Sequence, residues 1–254
     1  MAHTEARSVD PRQFHVGSLR PGDTLMDHSR ISTESETQRG LKSATEILEK
    51  GTLMVFDAHR TWMDIGFSAA RLTEELPIQR YLIPFAAYLR DRRLYGSLLS
   101  HIKAQVKGVE LMPVVREEDR IDYEGKLGVR PRGVGFTKKQ VYALNIPYMK
   151  RAKELIEEDK PRSAILLAPY GSRRTYRKWF RDGASGLAKK GVPILVTLSV
   201  RERVVRLDNV GANLDHTTFV SPEILKFDRN NSDKYIDMMV DAQFAELERR
   251  AAIS

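Results

Sequence analysis

Apolar and polar positions change their period repeatedly along the chain. From Glu36 to Lys50, residues Leu41, Ala44, Ile47 and Leu48 fall on one helical face, and Gly51 follows as a natural stop. Thr52 to Phe56 is a short apolar strand, and Trp62 to Leu76 turns helical again. Ile83 to Lys107 is expected to be a long helix beyond Pro84, with an apolar stripe of Leu82, Phe85, Ala86, Leu89, Leu94 and Leu98. Val109 to Val115 is strand-like, and the charged, glycine-rich residues 117 to 136 form a loop. Lys138 to Glu158 is a helix interrupted near Pro147, followed by a buried strand from Ala164 to Ala168. A short helix over Phe180 to Lys190, a strand over Ile194 to Val205 and a final helix over Ser232 to Arg250 complete the pattern.

Strands alternating with helices predict an α/β fold with a mostly parallel central sheet flanked by helices. Residues 1 to 35 are polar, with no periodic apolar face, and read as an N-terminal arm; residues 36–254 read as a single α/β domain.

Composition narrows the partners. Apolar residues make up 41% and charged residues 30%, as in a globular protein. The absence of cysteine excludes disulfides, thiolate metal sites and cysteine nucleophiles. No run reaches the ~20 apolar residues of a membrane-spanning helix, and Met1 to Arg20 hold no apolar stretch of signal-peptide type. The expected location is cytoplasmic, peripheral on a membrane. A net charge of +8 favours anionic partners without choosing among them.

The chemically informative stretch is Asp57-Ala58-His59-Arg60-Thr61-Trp62-Met63-Asp64, at a strand-to-helix junction. Thr61 fits an N-cap, and Asp64 would complete a capping-box-like turn. Within one continuous helix, His59 and Asp64 would lie roughly 140° apart and could not meet. If His59 precedes the cap, Asp64 in the first turn can fold back towards it. A carboxylate on one imidazole nitrogen fixes the tautomer and leaves the other nitrogen to take a hydroxyl proton. The same residues also fit a simple helix cap beside a sheet-edge histidine.

Further blocks follow in order. Met112-Pro113-Val114-Val115-Arg116 ends a strand in arginine. Pro169-Tyr170-Gly171-Ser172-Arg173 follows the apolar run Ile165-Leu166-Leu167-Ala168. Then come Phe180-Arg181-Asp182-Gly183-Ala184-Ser185-Gly186-Leu187-Ala188 and Gly191-Val192-Pro193-Ile194. This series, from about Gly51 to Val200, resembles the glycerolipid acyltransferase superfamily, which includes the lysophosphatidate acyltransferases. That family carries Asn-His-x-Ser-x-x-Asp, a strand ending in arginine, Pro-Glu-Gly-Thr-Arg, Phe-Lys-x-Gly-Ala-x-x-Leu-Ala and Val-Pro-Ile-x-Pro. Ala58 stands for the asparagine, Thr61 for the serine, Val115 for a common aspartate, Tyr170 for the glutamate and Val196 for a second proline.

The resemblance implies a glycerol-phosphate acyltransferase-like fold. It implies transfer of a fatty acyl group from acyl-CoA or acyl-carrier protein to a hydroxyl of a lysophospholipid or related acceptor. His59 and Asp64 would be the catalytic pair, with no metal and no cofactor beyond the donor. Arg116, Tyr170, Gly171, Ser172 and Arg173 would bind substrate, at a membrane surface. Tyr170 removes a carboxylate associated with binding the acceptor, so the acceptor would differ from a simple lysophosphatidate. A non-catalytic lipid- or carrier-binding protein on the same fold is the alternative.

Other signals are weaker. Arg173, Arg174, Arg177, Lys178 and Arg181 alternate with Tyr176, Trp179 and Phe180, but no nucleic-acid fold signature accompanies them, and no nucleic-acid partner is expected. Gly183-Ala184-Ser185-Gly186 misses the nucleophile elbow by one residue and reads as tight helix packing. His101 and His216 have no neighbours at metal-ligand spacing.

Overall fold

The computed structural model describes residues 29–58, 64–87, 99–100, 102–115, 119–121, 135–170, 182–201 and 216–253. Seven strands form one sheet: β1 (Ser29–Ile31), β2 (Thr52–Asp57), β3 (Arg80–Ala86), β4 (Val109–Val114), β5 (Ser163–Leu167), β6 (Ile194–Arg201) and β7 (His216–Val220). The spatial order is β1-β7-β6-β2-β5-β3-β4. Strands β6, β2, β5, β3 and β4 run parallel, β7 runs antiparallel to β6, and β1 lies parallel to β7. The fold is α/β with a mostly parallel sheet.

Helices α1 (Ser35–Leu48), α2 (Asp64–Glu75), α3 (Lys138–Glu157), α4 (Asp182–Ala188) and α5 (Asp233–Ala251) supply the layers on either side. One face of the sheet packs against Leu41, Ala44 and Leu48 of α1 and Phe67, Ala70 and Leu72 of α2. The opposite face packs against Ala152 and Leu155 of α3, Leu187 of α4 and Val240, Phe244 and Leu247 of α5. Strand β2 is buried at every position, as a parallel strand covered on both faces must be. Its side chains alternate: Leu53 and Val55 face α1 and α2, whereas Met54, Phe56 and Ala58 face the other layer.

Several expected elements change at their edges, and three change in kind. Ile83 to Ala86 belongs to β3 rather than to a long helix; helical residues recur at 99–100 and 102–105. Pro84 lies beyond Leu82, where pairing with β5 stops, so its missing N–H removes no bond from that ladder. Helix α3 runs unbroken through Pro147. Pro147 and Ala143, whose carbonyl loses its partner, are both exposed, so water can satisfy the group. Ser29–Ile31, inside the expected arm, pairs with β7 in the sheet. The glycines of α4 are not close-packed: a Cβ on Gly186 meets nothing within 4 Å among the described residues, and one on Gly183 meets only Met149 Sδ at 3.9 Å.

The C-terminal helix is locked to the sheet by Arg250. Its guanidinium donates to Glu34 (2.9 and 2.5 Å), to Thr37 Oγ1 (2.8 Å) and to the Val220 carbonyl (3.1 Å).

Candidate active site at the carboxyl edge of the sheet

In parallel α/β sheets, loops that bind and react leave from the carboxyl ends of the strands. Three of the chemically suggestive blocks of this sequence meet such an end, whereas Gly191-Val192-Pro193-Ile194 leads into the amino end of β6. Strand β2 ends at Asp57 and α2 begins at Asp64, so the segment that carries His59 connects the two. Strand β4 ends at Val114, next to Val115 and Arg116, and β5 ends at Leu167, two residues before Pro169. Strands β2 and β5 are neighbours, with Phe56 opposite Leu167. Strand β4 lies three places from β2, roughly 14 Å across the sheet.

His59, Arg116, Gly171, Ser172 and Arg173 lie outside the described residues. Their neighbours are firmly held. The Ala58 N–H donates to the Thr197 carbonyl at 2.9 Å, carrying the β2–β6 ladder one residue past the strand. Val115, just before Arg116, has both backbone groups bound by one side chain. Its N–H donates to Asn145 Oδ1 at 2.7 Å, and its carbonyl accepts from Asn145 Nδ2 at 2.9 Å. Asn145 lies on α3, so a helix fixes the direction in which the chain leaves β4.

Asp64 is the first residue of α2. Ala58, on the other side of residues 59–63, is not helical, and those five residues lie outside the described residues.

Tyr170 is 6% exposed and belongs to the core under α5. Its ring centroid lies 5.8 Å from that of Phe244, with the rings tilted by 51°. Its hydroxyl faces the carboxylate of Asp237, also on α5. Desolvation raises the Asp237 carboxyl above the usual aspartate range, and the Tyr170 hydroxyl opposes part of that rise.

The most polar part of the buried sheet was not among the residues singled out from sequence. On the face covered by α1 and α2, the sheet is apolar at Leu53, Val55, Ala164, Leu166 and Leu195. Towards the carboxyl edge it turns polar, with Asp57, Thr197, Ser199 and Thr218 all buried. Asp57 Oδ2 accepts hydrogen bonds from Ser68 Oγ of α2 at 2.5 Å and Thr197 Oγ1 of β6 at 2.9 Å. Ser199 Oγ lies 2.7 Å from Ser68 Oγ and 2.9 Å from Thr218 Oγ1. His216, at the start of β7, stacks on Phe67 of α2 with centroids 4.2 Å apart. The signal for Asp57 was present: an ionisable residue ends a strand whose other five residues are Thr, Leu, Met, Val and Phe.

Among the described residues, no group of three or more His, Asp or Glu side chains is arranged to hold a metal ion. Comparison of the chain with protein-family models and with curated sequences returns no match.

Proposed function

We propose that the protein is an acyltransferase that moves a fatty acyl group from acyl-CoA or acyl-carrier protein to a hydroxyl of a lysophospholipid or related acceptor. One observation carries this reading: the blocks ending in His59-to-Asp64, Arg116 and Arg173 each follow a parallel strand that terminates on the same edge of the sheet. The strand ends that precede these blocks, far apart in sequence, lie on one rim.

In this reading His59 takes the proton of the acceptor hydroxyl as its oxygen attacks the thioester carbonyl. Asp64 orients the imidazole and balances the imidazolium charge. Collapse of the tetrahedral intermediate expels the thiolate, which recovers the proton as a free thiol. Arg116 and Arg173 hold an anionic group of the acceptor, and backbone amides near Gly171 and Ser172 stabilise the oxyanion. Tyr170 contributes mainly by shaping the wall behind that turn, since nearly all of its surface is buried.

Reversible attachment to a membrane surface accompanies this reading. No helix of the described residues is long and apolar enough to cross a membrane. Tyr142 and Ile146 stand exposed one turn apart on α3, with Lys138 Nζ 6.0 Å from the Tyr142 ring centre. That mixture of apolar and basic groups suits an interfacial contact.

The test is direct. Purified protein is incubated with acyl-CoA and acyl-carrier donors against a panel of lysolipid, sugar and polyol acceptors, with products read by mass spectrometry. Formation of an acylated acceptor is expected. Binding of acyl chains without turnover of any donor would replace the reading with a non-catalytic lipid- or carrier-binding protein.

A further inference from the structure

Three contacts fix the course of α3 past the sheet. Asn145 binds Val115, just beyond the carboxyl end of β4. Arg151 pairs with Glu110, near the amino end of the same strand, at 2.8 Å. The Leu155 carbonyl accepts from Oγ1 of Thr52, where β2 begins, at 2.9 Å. Helix α3 therefore runs from the carboxyl edge of the sheet towards the amino edge, and the residues before Asn145 extend roughly 10 Å of helix beyond the carboxyl end. Burial agrees with this course: Tyr148, Ala152 and Leu155 are buried, whereas none of residues 138–147 is.

The overhanging part carries a surface of its own. Lys139, Tyr142, Ala143, Ile146 and Lys150 recur at three- and four-residue steps, so they share one face, and all are exposed. Ile121, also exposed, packs beside Gly135 just ahead of the N-cap Thr137. No Asp or Glu occurs between Gly135 and Lys153. Further along α3 the cations are neutralised in place, Arg151 by Glu110 and Glu154 and Lys153 by Glu157. Lys138, Lys139 and Lys150, which bracket the apolar side chains, have no ion pair among the described residues.

We propose that this face of α3 docks on an anionic lipid surface and turns the carboxyl edge of the sheet towards it. The inference rests on the surface attachment in the reading above and names the face and the lipid charge that produce it. Tyr142 and Ile146 enter the boundary between headgroups and acyl chains, while the lysine ammoniums on both sides meet lipid phosphates. A neutral bilayer offers those lysines no countercharge. A second copy of the chain would set lysines against lysines, in a protein whose net charge is already +8. A lysolipid acceptor then reaches the carboxyl edge from the bilayer without crossing water.

The experiment sediments the full chain with vesicles of phosphatidylcholine alone and of phosphatidylcholine mixed with phosphatidylglycerol. Binding is expected to the mixed vesicles, weakening as salt rises. The combined variant Lys138→Gln, Lys139→Gln, Lys150→Gln should bind about 100-fold more weakly, at about fivefold for each lysine near such a surface. Tyr142→Ser with Ile146→Ser should weaken binding at least about 10-fold with the charge unchanged. All five positions are exposed, so folding is not at stake. The control is Lys50→Gln, Lys107→Gln, Lys226→Gln. It removes the same charge from exposed positions at the amino edge: Lys50 precedes β2, Lys107 precedes β4, and Lys226 follows Leu225, which bridges to the first residue of β6. The control should bind nearly as wild type does.

Orientation is read separately. The chain has no cysteine, so Ala143→Cys and Lys226→Cys each give one site for an environment-sensitive dye. Mixed vesicles should shift the emission of the dye at position 143 to the blue and leave that at position 226 unchanged. Equal losses in the α3 lysine variant and its control, or equal shifts at both dyes, overturn the proposal while leaving surface attachment in place. Binding to neither vesicle overturns both, and acyl transfer is then judged by its own assay. Lysine-dependent binding to acyl-carrier protein without vesicle binding, or a dimer lost in Ile146→Ser, gives the face to another occupant and overturns the proposal as well.

Discussion

Ser68, one turn into α2, donates its hydroxyl proton at 2.5 Å to Asp57, the last residue of β2, and so bridges the two ends of the segment that carries His59. The bond belongs to a buried cluster in which Thr197 supplies the second donor to the same oxygen. A buried carboxylate deprived of a donor pays its desolvation without full return. Thr197→Val keeps the shape of the side chain and removes that donor. It should destabilise the protein by roughly 1–3 kcal/mol, measured as a fall in the urea midpoint at neutral pH. An unchanged midpoint would mean that Thr197 adds nothing to the cluster.

The proposed role of His59 as general base makes its own prediction. His59→Ala should lower acyl transfer by at least the ~100-fold typical of losing a general base. Asp64→Asn should also lose activity, because the amide can favour the wrong imidazole tautomer. Asp64 begins α2, so a change there also touches the first helical turn, and circular dichroism must accompany the rate. A folded His59→Ala protein with near wild-type turnover would remove His59 from the chemistry. Unchanged turnover in Asp64→Asn would leave His59 without its proposed orienter.

Legibility followed burial. Strands β2 and β5 could be read because both faces are covered, which leaves unbroken apolar runs. Helix α5 could be read because Ile236, Val240, Phe244 and Leu247 recur at helical spacing. Strand β1 could not, since Ser29-Arg30-Ile31 is too short for any period to show. Strand β7 carries Thr217, Thr218, Phe219 and Val220, a β-favouring run, yet its two threonines make it look polar. Strand β3 misled because Leu82, Phe85 and Ala86 also satisfy a helical stripe when the next apolar residues are counted with them.

The site divides in the same way: the positions of Ala58, Val115 and Tyr170 at strand ends follow from the strands. The partners of Asp57 do not, because Ser68 is 11 residues away and Thr197 140 residues away.

Two glycines separate close packing from mere helix content. A Cβ on Gly40 of α1 would stand 2.1 Å from the Ser221 carbonyl oxygen, which is backbone and cannot swing aside. Gly40→Ala should therefore destabilise at or above the upper end of the ~1–3 kcal/mol seen for overpacking. Gly186 has no such neighbour among the described residues, so Gly186→Ala should stabilise by about 0.5–1 kcal/mol through helix propensity. Thermal unfolding of both variants gives the comparison, and equal effects in the same direction would contradict it.

Tyr170 and Asp237 give the protein a pH dependence of known sign. Asp237 Oδ1 is buried without a hydrogen-bond partner among the described residues, and desolvation raises its carboxyl above the unfolded value. Between the unfolded and folded values the native state therefore holds more protons than the unfolded chain. This site's contribution is most favourable below the unfolded value, near 3.9, and is lost as pH rises through the raised folded value. Asp237→Asn carries no charge to desolvate, so it should be more stable than wild type at pH 7, by less than about 1 kcal/mol given the site's partial exposure. That advantage should vanish towards pH 3. Tyr170→Phe removes the hydroxyl that opposes the rise, so it should cost more stability at pH 7 than at pH 3. Tyr170→Glu would set a second carboxylate beside Asp237 and give up the contact with Phe244, so it should be the least stable of the three at neutral pH. Urea midpoints at the two pH values test all three variants. An advantage of Asp237→Asn that persists undiminished at pH 3 would show that the carboxyl is not held above its unfolded value.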